Sequence, residues 1–395
     1  MIKQKLINLA TMAGLALCAC TSVQNGNSLD QCNVIASRVV TDGDTLVVCD
    51  VSKIEQHIKV PLSTLVKDWK LLKLENSSKE VMVQPVYIYP SENYILIHPL
   101  EHNRGTMLFD KTGKYLFDIG KKGNGPGEIV SSIADIKMDE DNDCVYINDL
   151  KPSRILKYRL SNGDYLTEIP LSYSHAEKFL LNPKDETLIA TCRPHKRLDL
   201  GIPWIWKQDF QGNILQELPK KAFNKEFWYE FWLWSRNDEI AFFDFNVPSI
   251  KDTLYHYDIP SNRLKPHFTV DFGSEIPDHQ YEDTSDYYLV TLISDMKMNK
   301  PIDPTKRILI DKKTLKGAYV DIVLDGYGDF SITNCWVYLR DNYFTMSLYP
   351  HQVAETCEKL LEHPENLTQE EKQNLQELLD GITEDDNAFI LYGKI

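Results

Sequence analysis

The chain has 395 residues, 43% of them hydrophobic and 26% charged, and a net charge of −15 at pH 7. That length admits two or three ordinary domains or one large repeat domain. The acidic excess speaks against nucleic acid or an anionic membrane surface as partner; it promotes solubility and would suit a cationic ligand.

The first twenty residues lie apart from the fold. Lys3 and Lys5 precede an apolar run over residues 6–17 that is too short to span a bilayer as a helix. The run ends in Leu17-Cys18-Ala19-Cys20. A small residue before a cysteine, with Leu three positions ahead of it, resembles the lipobox of bacterial lipoproteins. The resemblance implies cleavage before Cys20, lipidation of its thiol, and an outer-membrane lipoprotein of the cell envelope. An ordinary secretory signal is the other reading. The expected division is a signal peptide over 1–19, a polar tether over 20–33 and one domain over 34–395.

Six cysteines follow: Cys32, Cys49, Cys144, Cys192, Cys335 and Cys357. No pair has CxxC spacing, so no metal site, redox motif or cofactor is expected. A Cys32–Cys49 disulfide is conceivable in an exported chain, and buried free thiols are the default for strand cysteines.

Polar turns between strand-like runs recur at residues 109–115, 158–165, 209–214, 257–264 and 310–316. Gly113, Gly163, Gly212 and Asn262 stand 50, 49 and 50 residues apart, and Asn tolerates the left-handed conformation that Gly takes. Each period also holds an earlier strand pair: 81–89 with 94–97, 133–138 with 144–148, 178–181 with 187–192, and 227–234 with 239–243. Four strands in about fifty residues is the size of one propeller blade. The fifth period is irregular, with a strand over 287–293 and an insertion or helix over 295–304. The sixth opens with 332–339 and 343–348. Two helices then interrupt it. Residues 352–362 carry Val353, Cys357, Leu360 and Leu361 at helical spacing. Thr368-Gln369-Glu370-Glu371 is a capping box for the second helix. A strand over 388–392 follows. The expected fold is all-β: a six-bladed β-propeller with a helical insertion, about 351–383, in its last blade. An N-terminal strand must close the ring, either 71–74 or 45–49.

The nine residues Gly120-Lys121-Lys122-Gly123-Asn124-Gly125-Pro126-Gly127-Glu128 form a specified tight loop. It lacks a Gly-Lys-Ser/Thr ending and no helix follows, so an inter-blade loop is expected rather than an anion site. The loop resembles the G-x-G-x-GPGE loop of six-bladed β-propeller lipoproteins from Bacteroides-type bacteria. Val60-Pro61-Leu62-Ser63-Thr64-Leu65-Val66 and Leu72-Lys73-Leu74-Glu75 are similar to that family's N-terminal stretch. The run from Tyr146 to Ile155 is similar to NHL-type repeats, and Glu384-Asp385-Asp386-Asn387 to the family's C-terminal ending. The resemblance, from about Val60 onward, implies the fold. The family's activity is not established, so it transfers no functional residue.

Candidate ligand contacts are His98, His102 and Arg104 in blade one, and Arg193, His195 and Arg197 in blade three, both on connections between strands. Such groups would neutralise a sugar carboxylate and move a proton, or are plain loop polarity. Five of the seven tryptophans fall within residues 204–234. Trp228 and Trp232 suit sugar stacking or core packing. Glu230 between them either faces the central channel or needs a partner. Asp139, Asp141 and Asp143 alternate as in a calcium loop, but Cys144 and Leu150 stand where Gly and Glu are required, so a solvated turn is expected. Asp149 and Arg154 read as a turn-bracing ion pair. The functional expectation is an envelope binding module for a glycan or an envelope protein. The alternatives are a polysaccharide lyase or hydrolase at the channel mouth, and docking through the helices.

Overall fold

The computed structural model describes residues 28–395 apart from 77–84, 100–104, 131, 193–201, 219–230, 237–238, 245–252, 294–303, 333–336 and 384–385. The chain begins with four strands, β1 (Ala36–Thr41), β2 (Asp44–Asp50), β3 (His57–Pro61) and β4 (Lys67–Leu72). Blade one is β5 (Pro85–Pro90), β6 (Tyr94–Pro99), β7 (Thr106–Asp110) and β8 (Tyr115–Ile119). Blade two is β9 (Ile133–Asp139), β10 (Cys144–Asp149), β11 (Arg154–Arg159) and β12 (Tyr165–Pro170). Blade three is β13 (Ala176–Asn182), β14 (Thr187–Cys192), β15 (Ile205–Asp209) and β16 (Ile214–Leu218). Blade four is β17 (Phe231–Arg236), β18 (Glu239–Asp244), β19 (Leu254–Asp258) and β20 (Arg263–Asp271). Blade five is β21 (Asp278–Asp283), β22 (Tyr287–Ile293), β23 (Pro304–Asp311) and β24 (Gly317–Val323). Blade six contributes β25 (Tyr338–Arg340), β26 (Tyr343–Leu348), the helices α1 (Pro350–Leu361) and α2 (Gln369–Asp380), and β27 (Phe389–Lys394).

Each blade is an antiparallel meander, and the molecule is a six-bladed β-propeller. Its core is divided among the blade interfaces. Six buried apolar clusters occur among the described residues, one between each pair of neighbouring blades. Strands packed on both faces must be apolar on both, and the repeat meets that demand. Ile95, Ile97 and Met107 of blade one meet Ile390 and Tyr392 of blade six, for example. Trp204 and Trp206 are buried, so these two tryptophans are core.

The fifty-residue period holds. Gly113, Gly163, Gly212 and Asn262 have φ of +86°, +75°, +89° and +50°, one per blade. Blade five, faint in the sequence, is a complete sheet; its expected insertion at 295–304 lies, but for Pro304, outside the described residues. Both expected helices form. Thr368 caps α2 and exchanges hydrogen bonds with Glu371. Val353, Cys357 and Leu375 are buried, and Leu360, Leu361, Leu378 and Leu379 pack on the same core. The apolar stripes of the helices therefore face the propeller.

Closure differs in detail from expectation. The closing strand is β4, which pairs antiparallel with β27 (Leu72 opposite Ile390, Leu71 opposite Leu391). The pairing ends at Leu72 because Glu75 turns away: its N–H donates to Gly113 O at 2.8 Å. Residues 45–49 do not close the ring. They belong to β2, which runs parallel to β20 on the outer edge of blade four. Strand β3 likewise runs parallel to β24 on blade five. The N-terminal strands thus cover the outer edges of blades four, five and six in turn, which protects edges that would otherwise pair with other chains. Cys32 and Cys49 are free buried thiols in two different clusters, so the conceivable disulfide is absent. Burial pushes the Cys49 thiol up to about 12.

The loop over 120–128 is structural. The Glu128 carboxylate accepts from Gly125 N–H at 2.8 Å and pairs with Lys121 at 2.9 Å. Tyr158 Oη donates to Gly127 O at 2.8 Å, and Arg154 Nη2 donates to Glu128 O at 2.9 Å. Arg154 also pairs with Asp149 at 3.4 Å and Glu168 at 2.6 Å, as a brace would. The Asp139–Asp143 turn is a hairpin in which Asp139 accepts from Asn142 and Asp143 from Ser161.

Two outcomes test this architecture. Gly127 sits at φ +69°, and a Cβ there would lie 2.4 Å from the Tyr165 ring. Gly127→Ala is expected to cost about 2–4 kcal/mol from left-handed strain plus overpacking; a urea midpoint within about 0.5 kcal/mol of wild type contradicts that. Deleting residues 1–75 removes the closing strand and both parallel edge strands, and no cooperative unfolding transition should remain. A truncated chain with the parent's melting curve would refute the closure argument.

Candidate functional site

First strands pack side by side about the axis, β5 against β9, β9 against β13 and β13 against β17. Successive side chains on a strand alternate faces, so residues two apart share one. The first strands carry polar groups at that spacing: Asp135 and Lys137 on β9, Gln280 and Glu282 on β21, Tyr338 and Arg340 on β25, Tyr87 and Tyr89 on β5. Lys178 on β13 joins them. These residues come together in the central channel.

Asp135 is buried and shared. Lys178 Nζ donates to its Oδ1 at 3.0 Å, and Lys137 Nζ lies 3.8 Å from its Oδ2. Lys137 has a second carboxylate, Asp341. Burial works against the charged Asp135, but Lys178, Lys137 and Arg340 outweigh it and hold the carboxyl below its ordinary range. Lys178 is the under-compensated member. Burial, with Arg340 and Lys137 nearby, brings its ammonium down to about 8 despite Asp135. Asp135 cannot fully neutralise two ammonium groups and a guanidinium at once.

Arg340 is held by rings rather than by acceptors. Its Cζ lies 4.7 Å from the centroid of Tyr87, 5.3 Å from Tyr89 and 5.3 Å from Tyr338. The faces of aromatic rings attract a guanidinium but supply no strong lone pair. Among the described residues Arg340 makes no ion pair, and its buried Nη1 has no hydrogen-bond partner. Glu282, 3% exposed, accepts from Gln280 Nε2 at one oxygen; the other, Oε2, is buried without a partner. Burial pushes the Glu282 carboxyl up to about 8, against the pull of Gln280, Arg340 and Arg307. At pH 7 it is therefore protonated. Among the described residues the channel then holds three cations, Lys137, Lys178 and Arg340, against two carboxylates, Asp135 and Asp341.

Of the candidate residues singled out in the sequence, His98 is the one among the described residues that reaches this site. It stands opposite Tyr87 in the β5–β6 register, its ring parallel to that tyrosine at 6.3 Å. His102, Arg104, Arg193, His195, Arg197, Trp228 and Glu230 lie outside the described residues, as does Cys20. Trp232 falls within β17, and nothing further is described of it. The missed signal was a pair of polar or aromatic residues two apart on a blade's first strand, as with Asp135 and Lys137 or Gln280 and Glu282.

One group of metal-ligating side chains occurs among the described residues: His256, His267 and Asp283, on the outer strands of blade four and the start of blade five. Burial and the adjacent His256 bring the His267 imidazole down to about 4.

Glu282 gives the site a pH signature. A carboxyl near 4.3 in the unfolded chain and about 8 when folded binds more protons in the native state across that window. Its contribution to stability is therefore present below pH 4 and is lost as pH rises towards 8, with a slope of up to about 1.4 kcal/mol per pH unit. Lys178, depressed when folded, adds the opposite slope only above about pH 8. Glu282→Gln should equal wild type near pH 4 and gain on it steadily to pH 8 in denaturant titrations. A pH-independent difference would contradict a protonated Glu282.

Residues 46–394 match the Domain of unknown function DUF4934. No curated protein matches the chain. A crystal structure from Bacteroides fragilis NCTC 9343, of a protein inferred to be exported, superposes with a TM-score of 0.59 at 18% identity, covering 89% of this chain and 99% of that one. Hydrazine synthase of Kuenenia stuttgartiensis superposes with a TM-score of 0.41 at 14% identity, over 80% of this chain and 88% of that one, a likeness too distant to carry function. With that match running over nearly its whole length, the chain belongs to the DUF4934 family, a domain whose function is unknown.

Proposed function

We propose that the protein is a ligand-binding module of the cell envelope and that its channel takes an anionic ligand, with an acidic glycan as the fitting class. The observation that carries this is Arg340: a half-buried guanidinium among three tyrosines, with Nη1 buried and unpartnered. A buried charge without an acceptor is costly, and a carboxylate presents two oxygens in the geometry a guanidinium binds best. Lys178, short of counter-charge, adds to the same pull. Tyrosine edges and the His98 ring supply the apolar and hydrogen-bonding surface that sugars use. Export is supported by the leader-like N-terminus ending at Cys20 and by the inferred export of the B. fragilis relative. Among the described residues no helix is long and apolar enough to cross a membrane.

A second reading rests on two groups that both feel Arg340. Burial raises the Glu282 carboxyl to about 8 and lowers the Lys178 ammonium to about 8. Opposed shifts of this kind mark acid–base sites, so a lyase or hydrolase is the alternative.

Calorimetry of the purified protein with uronic-acid oligosaccharides and their neutral counterparts tests both. Acidic oligosaccharides should bind and neutral ones should not. Arg340→Met should weaken binding by about 10- to 150-fold, the worth of a charge-assisted hydrogen bond, while leaving the ligand-free protein as stable or more so. Equal binding of neutral sugars, or affinity indifferent to Arg340→Met, would overturn the reading. New products in the acidic mixture would move the assignment to the enzyme.

A further inference from the structure

We propose that His256, His267 and Asp283 form a binding site for a divalent transition metal of the Zn2+ class, joining blade four to blade five. The three residues stand on three strands. His256 is in β19, His267 in β20, and Asp283 ends β21 at the turn into β22. Their ligand atoms converge on one point. His256 Nε2 lies 2.8 Å from Asp283 Oδ2, and His267 Nδ1 lies 3.5 Å from the same oxygen. All three atoms are within 4.8 Å of one another. The centre of a triangle with those sides is at most about 2.4 Å from each corner, so a few tenths of an ångström per ligand reaches the 2.0–2.2 Å of Zn–N and Zn–O bonds. The imidazoles are stacked at 3.9 Å and 16°, so an ion shared by the two nitrogens lies off both ring planes and the rings must tilt apart to take it.

The chemistry of the set suits such an ion. Two imidazoles and one carboxylate leave a position for water, and this donor mixture favours Zn2+ and its neighbours over Ca2+ or Mg2+. Tyr288 Oη hydrogen-bonds His267 Nδ1 at 3.2 Å, a contact that an ion on that nitrogen would replace. His256 and His267 keep 21% and 33% of their side-chain surface exposed, so an ion has a path in. One feature opposes binding. The Lys312 ammonium already holds Asp283 Oδ1 and the Thr284 carbonyl, and lies 4.6 Å over the Tyr288 ring. Its charge repels a dication, and only Oδ2 is left for the metal. That opposition separates a metal site from an ion-pair brace, because the two respond to loss of Lys312 in opposite ways.

The test is Zn2+ titration of the purified, chelator-treated protein by calorimetry, with bound metal counted by elemental analysis. One ion per chain should bind, and the melting temperature should rise saturably with Zn2+ and fall back with chelator. His267→Ala and His256→Ala should abolish both effects while circular dichroism stays native. Lys312→Gln should tighten binding by about tenfold, the scale of outer-shell effects on metal affinity; a brace would simply weaken. Failure of the native protein to take up Zn2+, uptake indifferent to both histidine variants, or uptake seen only with Lys312→Gln would each overturn the proposal.

Discussion

The pairing of β4 with β27 is the constraint on which the rest depends. Every blade interface is an apolar cluster, and six such interfaces make a ring only if the last blade meets the first. Strand β4 completes blade six, and the residues after it fasten the join. Lys73 pairs with buried Asp386 at 2.7 Å, and Asn387 Nδ2 donates to Glu75 O at 2.9 Å. The next described strand, β5, opens blade one. The same segment has already laid β2 and β3 along blades four and five, so half of the ring's outer edges answer to the N-terminus. Closure also creates the channel. Arg340 of blade six stands over Tyr87 and Tyr89 of blade one only because those blades are adjacent.

Much of this architecture was legible in the sequence because it is periodic and local. A turn that needs positive φ demands Gly or Asn, so Gly113, Gly163, Gly212 and Asn262 mark the blades openly. Blade five is faint since its equivalent turn uses Leu315, at φ +61°, a residue that signals nothing. A capping box is likewise a local event, and Thr368 with Glu371 announced α2. The closing strand was placed only in part. Lys67–Leu72 has one buried residue, Leu72, and an outer strand with one dry face leaves a weak apolar pattern. Residues 45–49 read as a strand, but nothing marked the parallel pairing of β2 or β3, because parallel pairing needs no turn between partners.

The channel site was illegible for a different reason. Asp135, Lys178, Glu282 and Arg340 come from four blades and lie far apart in the chain. Nothing in the neighbourhood of any one of them names the others. Dense clusters of His, Arg and Trp are conspicuous in a line of text by contrast. Of those, His98 reaches the channel, beside Tyr87. The metal-ligand group was hidden likewise: His256, His267 and Asp283 have no motif spacing, and two blades must meet before they converge.

Charge makes the same point more sharply. A net charge of −15 suggested a cationic ligand, yet the described residues of the channel are locally cationic. The sum over a chain is dominated by solvated side chains, whose fields are screened within about 8–10 Å at ordinary ionic strength. A buried group escapes that screening and answers to its immediate neighbours. Burial also changes the count itself. Glu282 adds a negative charge to any tally by composition, but desolvation keeps it protonated at pH 7. Asp135 is one charge on paper and is divided between two lysines in space. The sign of the site is thus set by which carboxyls stay ionised and how they are shared. Arg340, ringed by tyrosine and lacking an acceptor for its Nη1, is where that balance is left open to a ligand.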